Sequence, residues 1–268
     1  HNESVGVSAI NFNDDFALFN NLGAGATLQT PSSGASDWAL ISYLARINYG
    51  FTNRLLVTLT ARRDGSSRFG PNNKYGFFPS GAIAWRIINE PFMQSQKVFS
   101  DLKFRLSYGL TGNQEIGDYR YLSSIGVASY PFGGSSASLK VGGIPNGISN
   151  LDLSWEKNAQ FDAGLDMSLL SGRLQITADY YIKTTSDLLF SVNVPQTTGY
   201  STSLRNIGQV ENKGLELGIN TVNIEKNGFQ WTSDFNIAFN KNKVLALDGR
   251  PEFTAGDGSG HLQVSNTV

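Results

Sequence analysis

Three carboxylates lie close together in one stretch of the chain, Glu156, Asp162 and Asp166. Paired acids carry out glycoside hydrolysis, which needs carboxyl groups about 5–10 Å apart. On an extended strand Glu156 and Asp162 stand about 20 Å apart, so they read as polar groups of one strand face. Asp257-Gly258-Ser259-Gly260 begins like a cation loop but lacks the further acids of a calcium site, and reads as a flexible loop. Gly109-Leu110-Thr111-Gly112 is followed by no Lys-Ser/Thr pair, and no helix opens there to cradle a phosphate. The sharpest motif is Asp64-Gly65-Ser66-Ser67-Arg68-Phe69-Gly70. It is either a ligand contact or a tight loop, with Gly65 and Gly70 at positive φ and Arg68 paired with Asp64; the loop is the favoured reading. Tyr121, Tyr130 and Phe132 either stack on sugar rings or pack their own loop.

Composition narrows the chemistry further. The chain has no cysteine, which excludes thiol catalysis, disulfides and Cys-ligated zinc. Its two histidines, His1 and His261, sit near the chain ends, so neither a His-based triad nor a multi-His metal site is expected. Lys+Arg number 21 against 22 Asp+Glu, a net charge of -1, which lacks the basic surplus of a nucleic-acid binder. No catalytic, metal or cofactor site is expected. Twenty-nine glycines, 12% aromatic and only 16% charged residues describe a chain of turns and rings, as all-β proteins do.

Strict alternation is the dominant pattern. In 155–169, Glu156, Asn158, Gln160, Asp162, Asp166 and Ser168 oppose Ala159, Phe161, Ala163, Leu165, Met167 and Leu169. A strand places such sets on opposite faces. The same division runs through 102–110, 173–183 and 229–240, and more weakly through 42–49, 54–63, 80–87 and 213–222. Arg105 falls in the first of these, Gln175 and Asp179 in the second, all on the polar side. About eight strands of about ten residues follow, longer than the usual 5–6. Short turns near 50–53, 170–172 and 225–228 alternate with a middle-sized link over 88–101 and long loops at 64–78, 112–154 and 184–212. Residues 1–37 lack clean alternation and read as the remnant of an outer loop, 38–248 as the strand region, and 249–268 as the start of another loop. Neither end has the character of a domain edge, so the chain reads as an internal segment.

No apolar run approaches the ~20 residues of a helical span, but ten-residue strands tilted by ~40° rise ~25 Å, the height of an outer-membrane apolar band. Rings near the short turns, Tyr49, Phe51, Trp85, Phe229 and Trp231, fit an interfacial girdle. Polar faces holding carboxylates, amides and arginine suit a water-filled lumen, which takes many more than eight strands. The alternation alone also permits a soluble β-sandwich acting as a carbohydrate-binding or adhesion module.

Several short motifs occur in a fixed order: Asp64 through Gly70, then Phe78-Pro79-Ser80 and Ala84-Trp85-Arg86, then Leu102 through Gly109 running into Thr111-Gly112-Asn113-Gln114. Trp155-Glu156-Lys157, Gly164-Leu165-Asp166, Asp179-Tyr180-Tyr181, Asp187-Leu188-Leu189, Asn212 through Glu216 and Asn240 through Lys243 follow. In this order they resemble the SusC/RagA family of TonB-dependent outer-membrane transporters, over about 40–248. The resemblance implies part of a 22-stranded barrel in the outer membrane of a Gram-negative, Bacteroidetes-like bacterium. It implies nutrient import, of glycans or peptides, with a SusD-like lipoprotein and with TonB acting through an amino-terminal part outside this chain. It also implies contact with membrane lipid, with the plug and with the rest of the barrel. Leu106, Tyr108, Phe161, Leu165, Ile176, Tyr180 and Phe235 are then expected on the convex, lipid side. Arg105, Glu156, Asn158, Gln160, Asp162, Gln175, Asp179 and Asn236 are expected on the concave, lumen side.

Overall fold

Alternating sequences of this length are committed to strands, and the tight turns between them make pairing with the next strand the shortest route. The computed structural model describes residues 2–12, 22, 25–29, 31–131, 139–247, 253–256 and 262–265. It divides into two units, His1–Ala39 and Leu40–Val268. In the first, Asn2–Gly6 pairs antiparallel with Ser32–Ser36, and Ala9–Ile10 with Thr27–Leu28.

The second unit is built on one eight-stranded antiparallel sheet in sequence order. Its strands are β1 (Leu40–Phe51), β2 (Leu55–Ser66), β3 (Tyr75–Arg86), β4 (Phe99–Asn113), β5 (Glu156–Leu169), β6 (Leu174–Ser186), β7 (Gln209–Lys226) and β8 (Phe229–Ala246). The long strands form one sheet and not two packed ones, which removes the sandwich reading. The sheet does not close on itself, so β1 and β8 are its edges. No described helix is long and apolar enough to cross a membrane.

One end of the sheet carries the tight connections. Between β7 and β8, Asn227 (φ 51°) and Gly228 (φ 80°) make a two-residue turn, both left-handed, as such hairpins require. Between β1 and β2, Thr52 and Asn53 are also left-handed, and the Arg54 amide donates to the Phe51 carbonyl at 2.9 Å. The 88–101 link holds 3₁₀ turns at Ile87–Asn89 and Pro91–Met93. At the opposite end the connections are long and contain hairpins of their own, Ile125–Pro131 with Leu139–Pro145 and Leu189–Asn193 with Thr202–Asn206.

Several strands outrun their alternation. The ladder continues through Gly65 opposite Tyr75, so β2 and β3 leave only 67–74 as their connection. In β8 the alternation breaks at Lys241 and Lys243, which take positions that are apolar lower down, yet pairing continues to Ala246.

The register assigns every side chain to a face. Ile47, Leu59, Gly81, Tyr108, Phe161 and Ile182 form one cross-strand row; Ser107, Asp162 and Tyr181 belong to the next. Extended over the sheet, Leu106, Tyr108, Phe161, Leu165, Ile176, Tyr180 and Phe235 share one face, and Arg105, Glu156, Asn158, Gln160, Asp162, Gln175, Asp179 and Asn236 share the other. The first face is exposed although apolar: Tyr108 is 55% accessible, Phe235 54% and Phe239 60%.

Candidate functional site

On the polar face an ion-pair cluster spans three strands. Arg105 of β4 forks onto Asp166 of β5, with Nε to Oδ2 and Nη2 to Oδ1 both at 2.9 Å. The same Nη2 reaches Asp179 of β6 at 2.8 Å, and Lys103 Nζ lies 2.8 Å from Asp166. Arg105 and Asp179 both register opposite Gly164 on the strand between them. A Cβ at Gly164 would collide with the Asp179 carboxylate and lie 2.7 Å from Arg105 Nη2. The missing side chain is therefore what lets the guanidinium cross β5. Beside this cluster, Ser107 donates to Asp162 at 3.1 Å and Gln160 to Asp162 at 2.8 Å, while Thr185 donates to Asn158 at 2.6 Å. Glu156 and Gln175 lie at opposite ends of the face. Lys103 and Gly164 fall within motifs noted in the sequence but are not among the expected lumen-facing site residues; the signal for Gly164 is a glycine inside a strand, which marks a close approach.

The Asp64–Gly70 motif belongs to a second assembly at the long-loop end. Phe69, Phe78, Leu153 and Trp155 are buried together, with Leu110, Ile116, Tyr121, Leu189 and Leu204 packed against them. The Phe69 and Trp155 rings lie 5.1 Å apart, and Phe78 meets Trp155 edge-on at 5.5 Å. Tyr121 thus packs its loop, Tyr130 is exposed, and Phe132 lies outside the described residues, as do His1, His261 and Asp257–Gly260.

Asp64–Ser66 of the motif close β2 and Ser67–Gly70 follow as a turn, with different contacts from those expected. Gly65 and Gly70 do not adopt positive φ. They are glycines because a Cβ would strike the Tyr75 ring at Gly65 and the Leu151 carbonyl at Gly70. Arg68 pairs with Asp118 across the loops at 2.9 Å, and Asp64 is taken instead by Arg62 of its own strand at 2.7 Å. Residues i and i+2 share a strand face, so Arg62 is the nearer cation. Ser66 is buried and its Oγ accepts from the Arg68 amide at 3.2 Å; Ser67 follows in the turn. Asn206 staples the loops by donating to the carbonyls of Ser154 (2.8 Å) and Asp187 (2.9 Å).

Sharing Leu204 with this core is a cleft of about 490 Å³ between the 118–148 and 191–204 segments, lined by Asp118, Tyr119, Arg120, Asn146, Tyr200 and Thr202 among others. Two rings, an amide, a hydroxyl and both charges suit a polar, neutral-to-zwitterionic ligand segment. No residue of the Asp64–Gly70 motif lines it; the motif reaches it only through Asp118, which Arg68 holds. No cluster of potential metal ligands occurs among the described residues.

The model of the TonB dependent receptor-like β-barrel family matches residues 1–264. TonB-dependent receptor SusC of Bacteroides thetaiotaomicron is 41% identical over 230 residues, 84% of this chain and 22% of its own length. TonB-dependent receptor P3 of Formosa agariphila is 38% identical over 97% of the chain and 26% of its own length. Among solved structures, the RagAB peptide importer in its 'closed-closed' state superposes with a TM-score of 0.81 at 30% identity, covering 95% of this chain and 28% of that one. The chain thus spans about a quarter of the length of the relatives it matches. These relatives are receptors and importers, in keeping with a chain read as no enzyme. With its eight sequential strands and its match over 1–264, the chain belongs to the TonB-dependent receptor β-barrel family.

Proposed function

We propose that this chain is a wall segment of a TonB-dependent outer-membrane nutrient importer, with its apolar face toward lipid, its polar face toward the lumen and its long loops outside the cell. The segregation of side chains carries the reading: exposed rings and aliphatics on one face of eight strands, an ion-pair cluster on the other. Family membership supports location in a Gram-negative outer membrane. Arg105, Glu156, Asn158, Gln160, Asp162, Gln175 and Asp179 then line the lumen, where water and a plug are their partners. Energy arrives from TonB through a part of the protein outside this chain. The cargo is a glycan or peptide handed over by a SusD-like lipoprotein, and the cleft beside Tyr119 and Tyr200 contacts it on the outside.

Site-directed spin labelling of the complete protein in lipid tests the orientation, since this chain contributes no cysteine. A label at Phe161→Cys should collide with dissolved oxygen, and one at Asp162→Cys with a water-soluble nickel complex. Swapped accessibilities would defeat the proposal. Deleting the gene should abolish growth on one glycan or peptide class, and unchanged growth on all of them would remove the importer role.

A further inference from the structure

The apolar face is not apolar throughout. Followed toward the long loops, it ends in cations on four of the eight strands: Arg63 on β2, Lys157 on β5, Lys213 on β7, and Lys241 and Lys243 on β8. The register makes this an observation about one face. Lys241 pairs with Lys213, which pairs with Ile182, which pairs with Phe161. Lys243 pairs with Glu211, the one carboxylate among this face's strand positions. Among the described residues, only Glu211, 3.3 Å from Lys213, and Asp187, 3.1 Å from Lys157 just past β6, form ion pairs with the five cations.

Four of the five stand at a similar height above the short turns. Lys157 stands about 12 residues above the turn-end residue Leu169, and Lys241 about 12 above Phe229, which at ~3.3 Å per residue and ~40° tilt is about 30 Å. That is just beyond a ~25 Å apolar band. Arg63 stands lower, about 8 residues above Leu55, and lies on the Tyr75 ring at 4.7 Å, where its long stem can carry the charge upward. Tyr43 and Phe77 register beside Arg63, and Tyr108 and Tyr180 lie below Lys157, all exposed.

We infer that this belt is a docking surface for phosphate-bearing lipids of the outer leaflet, acyl chains on the apolar face and phosphates on the cations. The inference rests on the outer-membrane reading above. Charge complementarity selects the occupant. Clustered Lys and Arg at one rim of an apolar surface favour anionic headgroups, and neutral lipids would leave the excess charge uncompensated.

The test uses the complete protein refolded in detergent, with native mass spectrometry counting bound lipid. The probes are monophosphorylated lipid A, its dephosphorylated form and inorganic phosphate. The wild type should bind the phosphorylated lipid at least about tenfold more tightly than the dephosphorylated one, with no response to inorganic phosphate. Replacing Arg63, Lys157, Lys213, Lys241 and Lys243 by Gln should abolish that preference. Lys213→Gln with Lys241→Gln should reduce it severalfold, and Lys213→Arg with Lys241→Arg should retain it; this pair decides the matter if the fivefold variant does not fold. Equal binding of the two lipids, or equal preference in the Gln and Arg pairs, overturns the inference. Insertion into phosphatidylcholine vesicles separates the two levels. If the wild type does not insert, the membrane reading itself falls and this proposal with it; if it inserts but shows no phosphate preference, only the docking surface is lost.

Discussion

Gly164 shows how a single missing side chain organises a site. Arg105 crosses over it to bind acids on the next strand and on the one beyond. A Cβ there meets the ends of two flexible side chains, so they give way and the backbone stays. Gly164→Ala in the complete protein should therefore cost about 1–3 kcal/mol through lost charge-assisted hydrogen bonds, read as a lower urea midpoint in detergent. In an Arg105→Ala background the same change should cost almost nothing; equal losses in the two backgrounds would show that the glycine matters for another reason. Leu165, the next residue, is on the other face. Leu165→Arg should cost about 2–4 kcal/mol, the penalty for a lipid-facing cation near the midplane. Leu165→Trp should still give heat-modifiable gel mobility, because lipid accepts a larger ring and a close-packed core does not. Loss of folding in both variants would remove the lipid-facing assignment. The polarity of each face was legible from period-two alternation alone. The ion-pair partners were not, because alternation says which residues share a face but not which strand lies beside which register position: Asp64 pairs with Arg62 and Arg68 with Asp118, and the second partner is 50 residues from its motif.

Among the elements, the strands and the loops are held by different means. Strands are fixed by ladders and by the environment of two faces. The long loops have a core of their own, with Trp155 touching two rings while its Nε1 donates to the Lys74 carbonyl at 3.3 Å. Trp155→Ala should open a cavity worth about 3–5 kcal/mol, and the loss should fall on the loops alone. Protease added to whole cells should then cut within the connection from Gln114 to Trp155, while the barrel keeps its heat-modifiable mobility. Loops as resistant as wild type would mean that the core is incidental. Little of this was visible in sequence. Eight long strands announce themselves by repetition, whereas the loop hairpins at 125–145 and 189–206 are short, and Gly126, Gly142 and Gly143 interrupt their alternation. The ends of β7 and β8 were read short for a physical reason: Lys213, Lys241 and Lys243 put charge on the apolar face, and the end of a band resembles the end of a strand.

For the whole molecule the decisive quantity is how much of the apolar surface finds a partner within the chain. Four buried apolar side chains make up the described core, all at the loop end. That is far too little to offset backbone ordering of about 1–2 kcal/mol per residue across a chain this long. The remaining apolar surface is turned outward, as on Phe51, Phe77, Leu59, Ile47 and Tyr49. Both edges add to the problem. Every residue of β8 is exposed, and its outer side presents unpaired N–H and C=O groups next to Phe235 and Phe239, a template for adding foreign strands. Residues 1–268 produced alone in water should therefore aggregate, and detergent should rescue them only in part, since it covers the apolar face but pairs no edge. With the barrel completed as proposed above, the complete protein should fold in the same detergent. Size-exclusion chromatography and thermal melts of both proteins check this. A soluble monomer of residues 1–268 with a sharp, reversible transition would show that the exposed face needs no lipid, and the membrane reading would have to be abandoned with it.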